Sequence, residues 1–154
     1  MFEKYMEEAL KEAQKAYNID EVPIGAVVVK DGEIIGRGHN LRESQKDPTL
    51  HAEMIAIREA AAKIKGWRLT NCDIYVTIEP CPMCAGAMIQ ARIDRVIFGA
   101  RDPKAGCAGS LYNLLEDSRF NHRVEVVEGI MEEQCRDIIK TFFRNKRSQK
   151  SNLK

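Results

Sequence analysis

The first segment of the chain places apolar and charged residues with the period of a helix. Over residues 3–17 the apolar positions fall three or four apart, and Glu and Lys occupy most positions between them. Because this spacing brings the apolar side chains to one face, it predicts an amphipathic helix. The apolar positions are Tyr5, Met6, Ala9, Leu10, Ala13, Ala16 and Tyr17.

Two strand-like runs follow, separated by a short turn. Residues 24–30 and 33–36 are rich in Ile and Val, and Asp31 and Gly32 stand between them. Asp-Gly between two such runs is a hairpin signal, because both residues tolerate the positive φ angles of a tight turn. The sequence therefore predicts an antiparallel hairpin and, after it, a polar loop over residues 40–48.

The middle of the chain alternates predicted helices and strands. A helix is expected over about residues 51–65, with Thr49 or a neighbour as its cap. The β-branched run 72–78 favours a buried strand. Residues 80–92 begin with prolines and continue as a helix of small residues that can pack closely on a sheet. Another strand is predicted over residues 95–98.

A loop over residues 99–110, a short strand over residues 124–127 and a last helix from residue 130 to about 146 complete the pattern. Strands that alternate with helices predict an α/β fold in which helices cover both faces of a central sheet. Because the opening hairpin is antiparallel, this sheet should be mixed. The last helix should present its apolar side through Ile138, Ile139, Phe142 and Phe143.

Composition fits one ordinary globular domain over residues 1–154, with 44% hydrophobic and 31% charged residues. No apolar run reaches the roughly 20 residues of a membrane span, and the acidic N-terminus does not resemble a secretion signal. A cytoplasmic protein is therefore expected.

The five cysteines are an odd number and show no disulfide pattern. Cys72, Cys107 and Cys135 are expected to be buried apolar residues.

The formal charge of +1 is unevenly distributed. Residues 1–21 hold six acidic side chains against three lysines, whereas residues 140–154 hold no acid. The basic end is either a phosphate-binding patch or a solvated tail, and residues 148–154 are expected as a flexible basic tail. The cations of this end are Lys140, Arg144, Lys146, Arg147, Lys150 and Lys154.

Two short clusters carry the candidate chemistry. They are His51-Ala-Glu53 and Pro80-Cys81-Pro-Met-Cys84. One imidazole and two thiolates suit Zn²⁺ and leave its fourth tetrahedral position open, which is typical of a catalytic site and not of a closed structural one. Glu53 is better suited to proton transfer than to ligation, although a Glu in a first helical turn can also simply complement the helix dipole.

The spacing of these clusters restricts where they lie. Cys81 and Cys84, three residues apart, share one face of a helix. His51 and Glu53, two apart, point to nearly opposite sides of a regular helix, and they converge only if both lie in its opening turn. The sequence therefore predicts two helix N-termini that meet at the metal.

The motif His-x-Glu with Pro-Cys-x-x-Cys resembles that of the zinc-dependent nucleobase deaminases. The wider match, over about residues 5–147, resembles the tRNA-specific adenosine deaminase family. The matching segments are 22–27, 67–69, 74–87, 98–102, 109–111, 120–122 and 142–144.

This resemblance implies a three-layer α/β/α cytidine-deaminase-like fold with about five strands, and one Zn²⁺ per subunit held by His51, Cys81 and Cys84. It implies hydrolytic conversion of the wobble adenosine of an anticodon to inosine, chiefly in an arginine tRNA. A zinc-bound hydroxide would attack the ring, with Glu53 as proton shuttle. It also implies a homodimer, with contacts from the loop after Arg101 and from the helix at Cys84.

Substrate contacts are implied at six positions. Asn40 matches the position that holds the target nucleoside, although it can also be a turn-forming Asn. For Phe143, the residues leave open whether it or Phe142 faces outward. His122 is expected as a structural hydrogen-bonding residue. The implied substrate-binding residues are Asn40, Asp102, Lys104, Phe143, Arg144 and Arg147.

Two alternatives remain at this stage. A deaminase of a free base or nucleotide, such as guanine or deoxycytidylate, would keep the same ligands and Glu53. The basic end argues against it, because a free base requires no extended cationic surface. A noncatalytic zinc-stabilised RNA-binding module is the second alternative, but such a module should close the fourth zinc position with another Cys or His.

Overall fold

A computed structural model describes the backbone of residues 1–152 and the side chains of residues 1–150. In chain order the elements are α1 Phe2–Asn18, β1 Gly25–Lys30, β2 Glu33–His39, α2 Arg42–Gln45, α3 Ala52–Ile64, β3 Cys72–Ile78, α4 Pro82–Gln90, β4 Arg95–Ala100, β5 Glu125–Val127 and α5 Glu132–Asn152. Among these helices, none is both long enough and apolar enough to cross a membrane.

The five strands form one mixed sheet in the order β2-β1-β3-β4-β5. β1 is antiparallel to β2 and β3, while β3, β4 and β5 run parallel. Asp31 and Gly32 both have positive φ, as the predicted hairpin turn requires. The predicted mixed sheet of about five strands is confirmed.

Helices cover both faces of the sheet, so the predicted three-layer α/β/α fold is confirmed as well. Along β1, Ala26 and Val28 pack on the side of α3 and α4, whereas Val27 and Val29 pack on the side of α1 and α5. Both sets are buried. This two-sided burial explains why the strands read as continuous apolar runs.

Two glycines of β2 allow α3 to lie directly on the sheet. A Cβ atom on Gly36 would be 2.2 Å from the carbonyl oxygen of Ala56, and one on Gly38 would be 2.3 Å from that of Ala52. No side chain fits in either position, so α3 rests on strand backbone over its first turns.

The predicted loop over residues 40–48 contains the helical turn α2, which the sequence did not indicate. Its first amides donate to a buried carboxylate: Glu21 accepts hydrogen bonds from Glu43 N–H at 3.1 Å and from Ser44 N–H at 2.6 Å. Thr49 does not cap α3. The N-cap is His51, and the free Ala52 N–H donates to Asn40 Oδ1 at 3.0 Å.

The last helix is longer than predicted and continues to Asn152. Residues 148–152 are therefore helical where the sequence predicts a flexible tail, and residues 153–154 lie outside the described part of the chain. The two phenylalanines of α5 differ in burial: Phe142 is 5% exposed, whereas Phe143 is 43% exposed. Cys72, Cys107 and Cys135 are free and buried, as predicted.

Candidate active site

The sheet topology collects the candidate residues at one edge. Because β3 and β4 are parallel, the segments that follow Ile78 and Ala100 leave the sheet side by side. β1 is antiparallel to β3, so its beginning lies at this same edge, and β2 ends there too at His39. Two helices then begin from this edge, each directly after a metal-ligand candidate.

His51 and Cys81 occupy equivalent positions, as the N-cap residues of α3 and α4 in extended conformation. Cys84 lies in the first turn of α4. The Nδ1 atom of His51 is 3.5 Å from the Sγ atom of each cysteine, and the three donor atoms lie within 4.8 Å of one another. We call His51, Cys81 and Cys84 the donor cluster.

This donor cluster fits a tetrahedral metal. Zinc bonds of about 2.3 Å to sulfur and about 2.0–2.1 Å to nitrogen place N and S donors about 3.5 Å apart, which is the separation found here. Nitrogen and sulfur donors of this type suit zinc, and one imidazole with two thiolates balances its charge.

The thiols of the donor cluster interact strongly with each other. The pKa of Cys81 is lowered to about 4, chiefly because the Cys84 thiol donates a hydrogen bond to it, with His51 also contributing. The pKa of Cys84 is raised, because its proton is held by Cys81 and because it is buried. Two helix N-termini point toward these sulfurs, which further favours negative charge. A thiolate is therefore available beside the imidazole.

Glu53 lies in the first turn of α3, beside the donor cluster and only 4% exposed. Burial is the main cause that raises its pKa, to about 7. A carboxyl group with such a pKa can both take and release a proton near neutral pH. His51 and Glu53 are two residues apart, and they converge because both lie at the opening turn of α3, as the sequence predicts.

A cavity of about 500 Å³ leads from the surface to His51. Ile24 and Ile78 form part of its apolar wall, and Asn40 lies beside His51. Asp102, Lys104 and Phe143 also line it, and we call these three the rim residues. A volume of this size is typical of sites for small organic groups.

Comparison with known proteins identifies the chain's relatives. The MafB19-like deaminase family matches residues 2–147. The tRNA-specific adenosine deaminase of Bacillus subtilis (strain 168) is 55% identical over 148 residues, which cover 96% of this chain and 92% of that protein. The chain belongs to the tRNA-specific adenosine deaminase family.

Solved structures agree with this assignment to the tRNA-specific adenosine deaminases. A structure from biochemical and structural studies of A-to-I editing by tRNA:A34 deaminases is 43% identical, with a TM-score of 0.84. The match covers 88% of this chain and 98% of that chain. A guanine deaminase from Bacillus subtilis is 40% identical with a TM-score of 0.62, and its match covers 64% of each chain.

Asn40 is buried, and its carboxamide is used inside the protein. It donates to Val22 O at 3.1 Å and accepts from Ala52 N–H at 3.0 Å. It therefore fixes the beginning of α3, where His51 lies. Its contact with a nucleoside stays a prediction.

Arg144 and Arg147 lie next to the cavity and not in it. They are exposed on α5 and line a neighbouring groove of about 560 Å³ together with Lys104, Lys140 and Phe143, which we call the basic groove. Lys146 points elsewhere and pairs with Asp20. His122 has the predicted structural role, since its Nε2 lies 2.6 Å from Ile93 O.

Several residues of this site were missed by sequence analysis. Arg42 and Arg101 bring two further cations to the cavity. Arg42 was missed because its segment reads as a polar loop. Glu79 is a buried carboxylate whose pKa burial alone would raise, but hydrogen bonds from Ser110, Asp102 and Ala108 lower it below its usual value. Its position before Pro80-Cys81 was the only signal.

Proposed function

We propose that this protein is a zinc-dependent hydrolase that converts the wobble adenosine of a tRNA anticodon, chiefly of an arginine tRNA, to inosine. The observation that carries this proposal is the donor cluster with Glu53 beside it, where His51 lines a cavity that Phe143 and Lys104 also line. The homologues named tRNA-specific adenosine deaminase support the substrate.

His51, Cys81 and Cys84 would hold the zinc ion. When bound, zinc supplies a Lewis acid that lowers the pKa of water toward neutrality. Glu53 would take a proton from the attacking water and give it to the purine ring nitrogen as the new C6–O bond forms. It would then move the remaining proton of the new hydroxyl to the amino group, which leaves as ammonia when the C6–N bond breaks. The apolar wall of Ile24 and Ile78 excludes bulk water from the reacting base.

The rim residues and the basic groove would hold the RNA around the flipped base. Phe143 is exposed enough to stack on a base, and Asp102 can accept from a ribose hydroxyl. Lys104, Arg144 and Arg147 are exposed cations for phosphate. A free base would use none of this surface, which favours RNA over the guanine that one solved relative acts on.

The proposal includes a homodimer in the cytoplasm, with α4 and the loop after Arg101 at the interface. An open groove along α3 and α4 supports an interface that includes α4, because apolar side chains line it and a second subunit would cover them. These side chains include Ile57, Ala61, Trp67 and Ala87. Trp67 is 56% exposed in the single chain.

A substrate panel tests the proposal. Pure zinc-loaded protein is incubated separately with an arginine anticodon-arm RNA, guanine, cytidine and deoxycytidylate, and ammonia is measured. We expect ammonia from the RNA alone, with the wobble position then sequenced as guanosine. The control RNA carries guanosine at that position and should release none. Turnover of guanine without turnover of RNA would overturn the proposal.

A further inference from the structure

Glu79 is a buried carboxylate that the proposed chemistry does not use. It lies directly after β3, two residues before the metal-ligand candidate Cys81, and is 3% exposed. Its carboxylate is hydrogen-bonded to the loop that follows β4. Burying a charge at this place is costly unless several donors surround it.

Four donors surround it, and all come from one loop. Oε1 accepts from Asp102 N–H at 2.9 Å and from the Ser110 hydroxyl. Oε2 accepts from Ala108 N–H at 3.0 Å and from Ser110 N–H at 2.9 Å. Both ends of the segment 102–110 are therefore held by the same carboxylate.

The loop is shaped to fit this carboxylate. A Cβ atom on Gly106 would lie 2.3 Å from Glu79 Cδ, so only glycine fits at that position without displacing the side chain. The neighbouring Cys107 N–H donates to Pro80 O at 2.8 Å. The loop is thus bound to the segment Glu79-Pro80 along its length.

The part of the loop between these anchors lines the cavity. Asp102, Pro103, Lys104 and Ala105 all face it. Asp102 Oδ1 accepts from Lys104 N–H at 3.0 Å and from Ala105 N–H at 3.2 Å, which reverses the chain there. The position of two rim residues therefore depends on hydrogen bonds that end on Glu79.

We propose that Glu79 is a positioning residue for the substrate: through its hydrogen bonds to the 102–110 loop, it holds Asp102 and Lys104 where they meet the RNA. This inference rests on the proposed function. It assigns Glu79 to substrate binding and not to the metal, although the metal-ligand candidate Cys81 is only two residues away.

The variant Glu79→Gln tests this assignment. It replaces one carboxylate oxygen, which accepts hydrogen bonds from the loop, with an NH₂ group that cannot accept them. We expect KM for the anticodon-arm RNA to rise about ten- to hundredfold, since small misplacements of binding groups have effects of this size. We expect kcat to change much less, because a substitution that weakens only substrate binding raises KM and leaves kcat unchanged, and we expect the zinc content to stay the same. Hydrogen exchange at the amides of Asp102, Ala108 and Ser110 should accelerate.

Two further variants keep the test decisive. Gly106→Ala displaces the carboxylate without removing its charge and should raise KM in the same way. Glu12→Gln is the matched control, because Glu12 is also a buried carboxylate but pairs with Lys15, Arg37 and His39, none of which lines the cavity. It should lower stability and leave KM unchanged.

Each outcome decides between roles. Faster loop exchange with unchanged KM, or equal rises of KM in Glu79→Gln and Glu12→Gln, would mean that Glu79 only stabilises the fold and would overturn the inference. A loss of zinc with a fall in kcat would place Glu79 at the metal and would overturn it too. If the wild-type protein does not act on RNA, the proposed function itself fails. This result differs from a failure of the inference about Glu79, because it is obtained with the wild type before any variant is compared.

Discussion

The donor cluster, which reaches the cavity through His51, and the rim residues, which line the same cavity, are built in different ways. The donor cluster sits at the beginnings of α3 and α4, which pack on the sheet, and Glu53 and Cys84 are buried there. The rim residues come from a loop and from the exposed side of α5. Helix ends packed on a sheet fix atoms closely, as bond-making requires, whereas the rim residues lie outside the sheet, on surface segments of the kind that often carry binding residues. Chemistry and affinity should therefore respond to different substitutions.

The sharpest separation is expected from Glu53→Ala. Removing the proton shuttle should lower kcat about 10²- to 10⁴-fold, because general acid–base catalysis contributes this much. Zinc content and RNA affinity should stay the same, since none of the three donors is changed. Inosine formation and metal analysis measure both. Glu59→Ala, an exposed residue of the same helix, is the control and should be fully active.

If Glu53→Ala retained its activity, the proton shuttle would be misassigned. If the variant also lost zinc, Glu53 would belong to the metal site, and its role in proton transfer could not be separated from metal binding.

The two neighbouring phenylalanines of α5 test the role of the rim residues. Phe143→Ala should raise KM for the RNA about tenfold with little change in stability, because stacking on a base contributes about 1–3 kcal/mol. Phe142→Ala should instead lower the free energy of unfolding by about 3 kcal/mol, because Phe142 packs in the interior against Tyr17. RNA binding and urea unfolding of both variants measure this exchange of effects.

The opposite result, in which Phe142→Ala raises KM and Phe143→Ala unfolds the protein, would mean that α5 presents the other side to the cavity. Equal effects in both assays would show that stability and affinity are not separated on this helix.

The smallest effect is expected at Glu12, which does not line the cavity. Burial alone would raise its pKa, but hydrogen bonds from Lys15, His39 and Arg37 lower it below the ordinary value of 4.5. Its contribution to stability is therefore present above pH 4.5 and is lost as the pH falls through the lowered pKa.

Urea unfolding of wild type and Glu12→Gln at neutral and acidic pH measures this contribution. The wild type should be the more stable at pH 7, and the difference should shrink as the solution is acidified. A difference that is independent of pH would show that the lost contacts depend on shape and not on charge.

The sequence predicted those parts of the molecule that depend on local spacing. Cys81 and Cys84 share a helix face in any helix, and the strand Cys72–Ile78 follows from the β-branched and aromatic residues that fill most of its positions. These features require only residues close in the chain, which is why their bounds and their grouping could be written down in advance.

Features that depend on distant partners could not be predicted. The turn α2 forms because Glu21, about 20 residues earlier, accepts its first amides, and the sequence of 40–48 alone is a polar loop. Thr49 reads as a better cap than His51, but Asn40 supplies the acceptor from across the sheet edge. Phe142 and Phe143 are chemically identical, and only the direction in which α5 packs against α1 separates them.

Gly36 and Gly38 are positions at which this protein has little freedom to vary. The helix that carries His51 lies on their bare main chain, so the height of the imidazole over the sheet is set by atoms that have no alternative rotamer. One added methyl group at either glycine would tilt the helix and carry the nitrogen away from the two sulfurs. We therefore expect a substitution at either glycine to lower activity, although β2 contributes none of the three metal-ligand candidates.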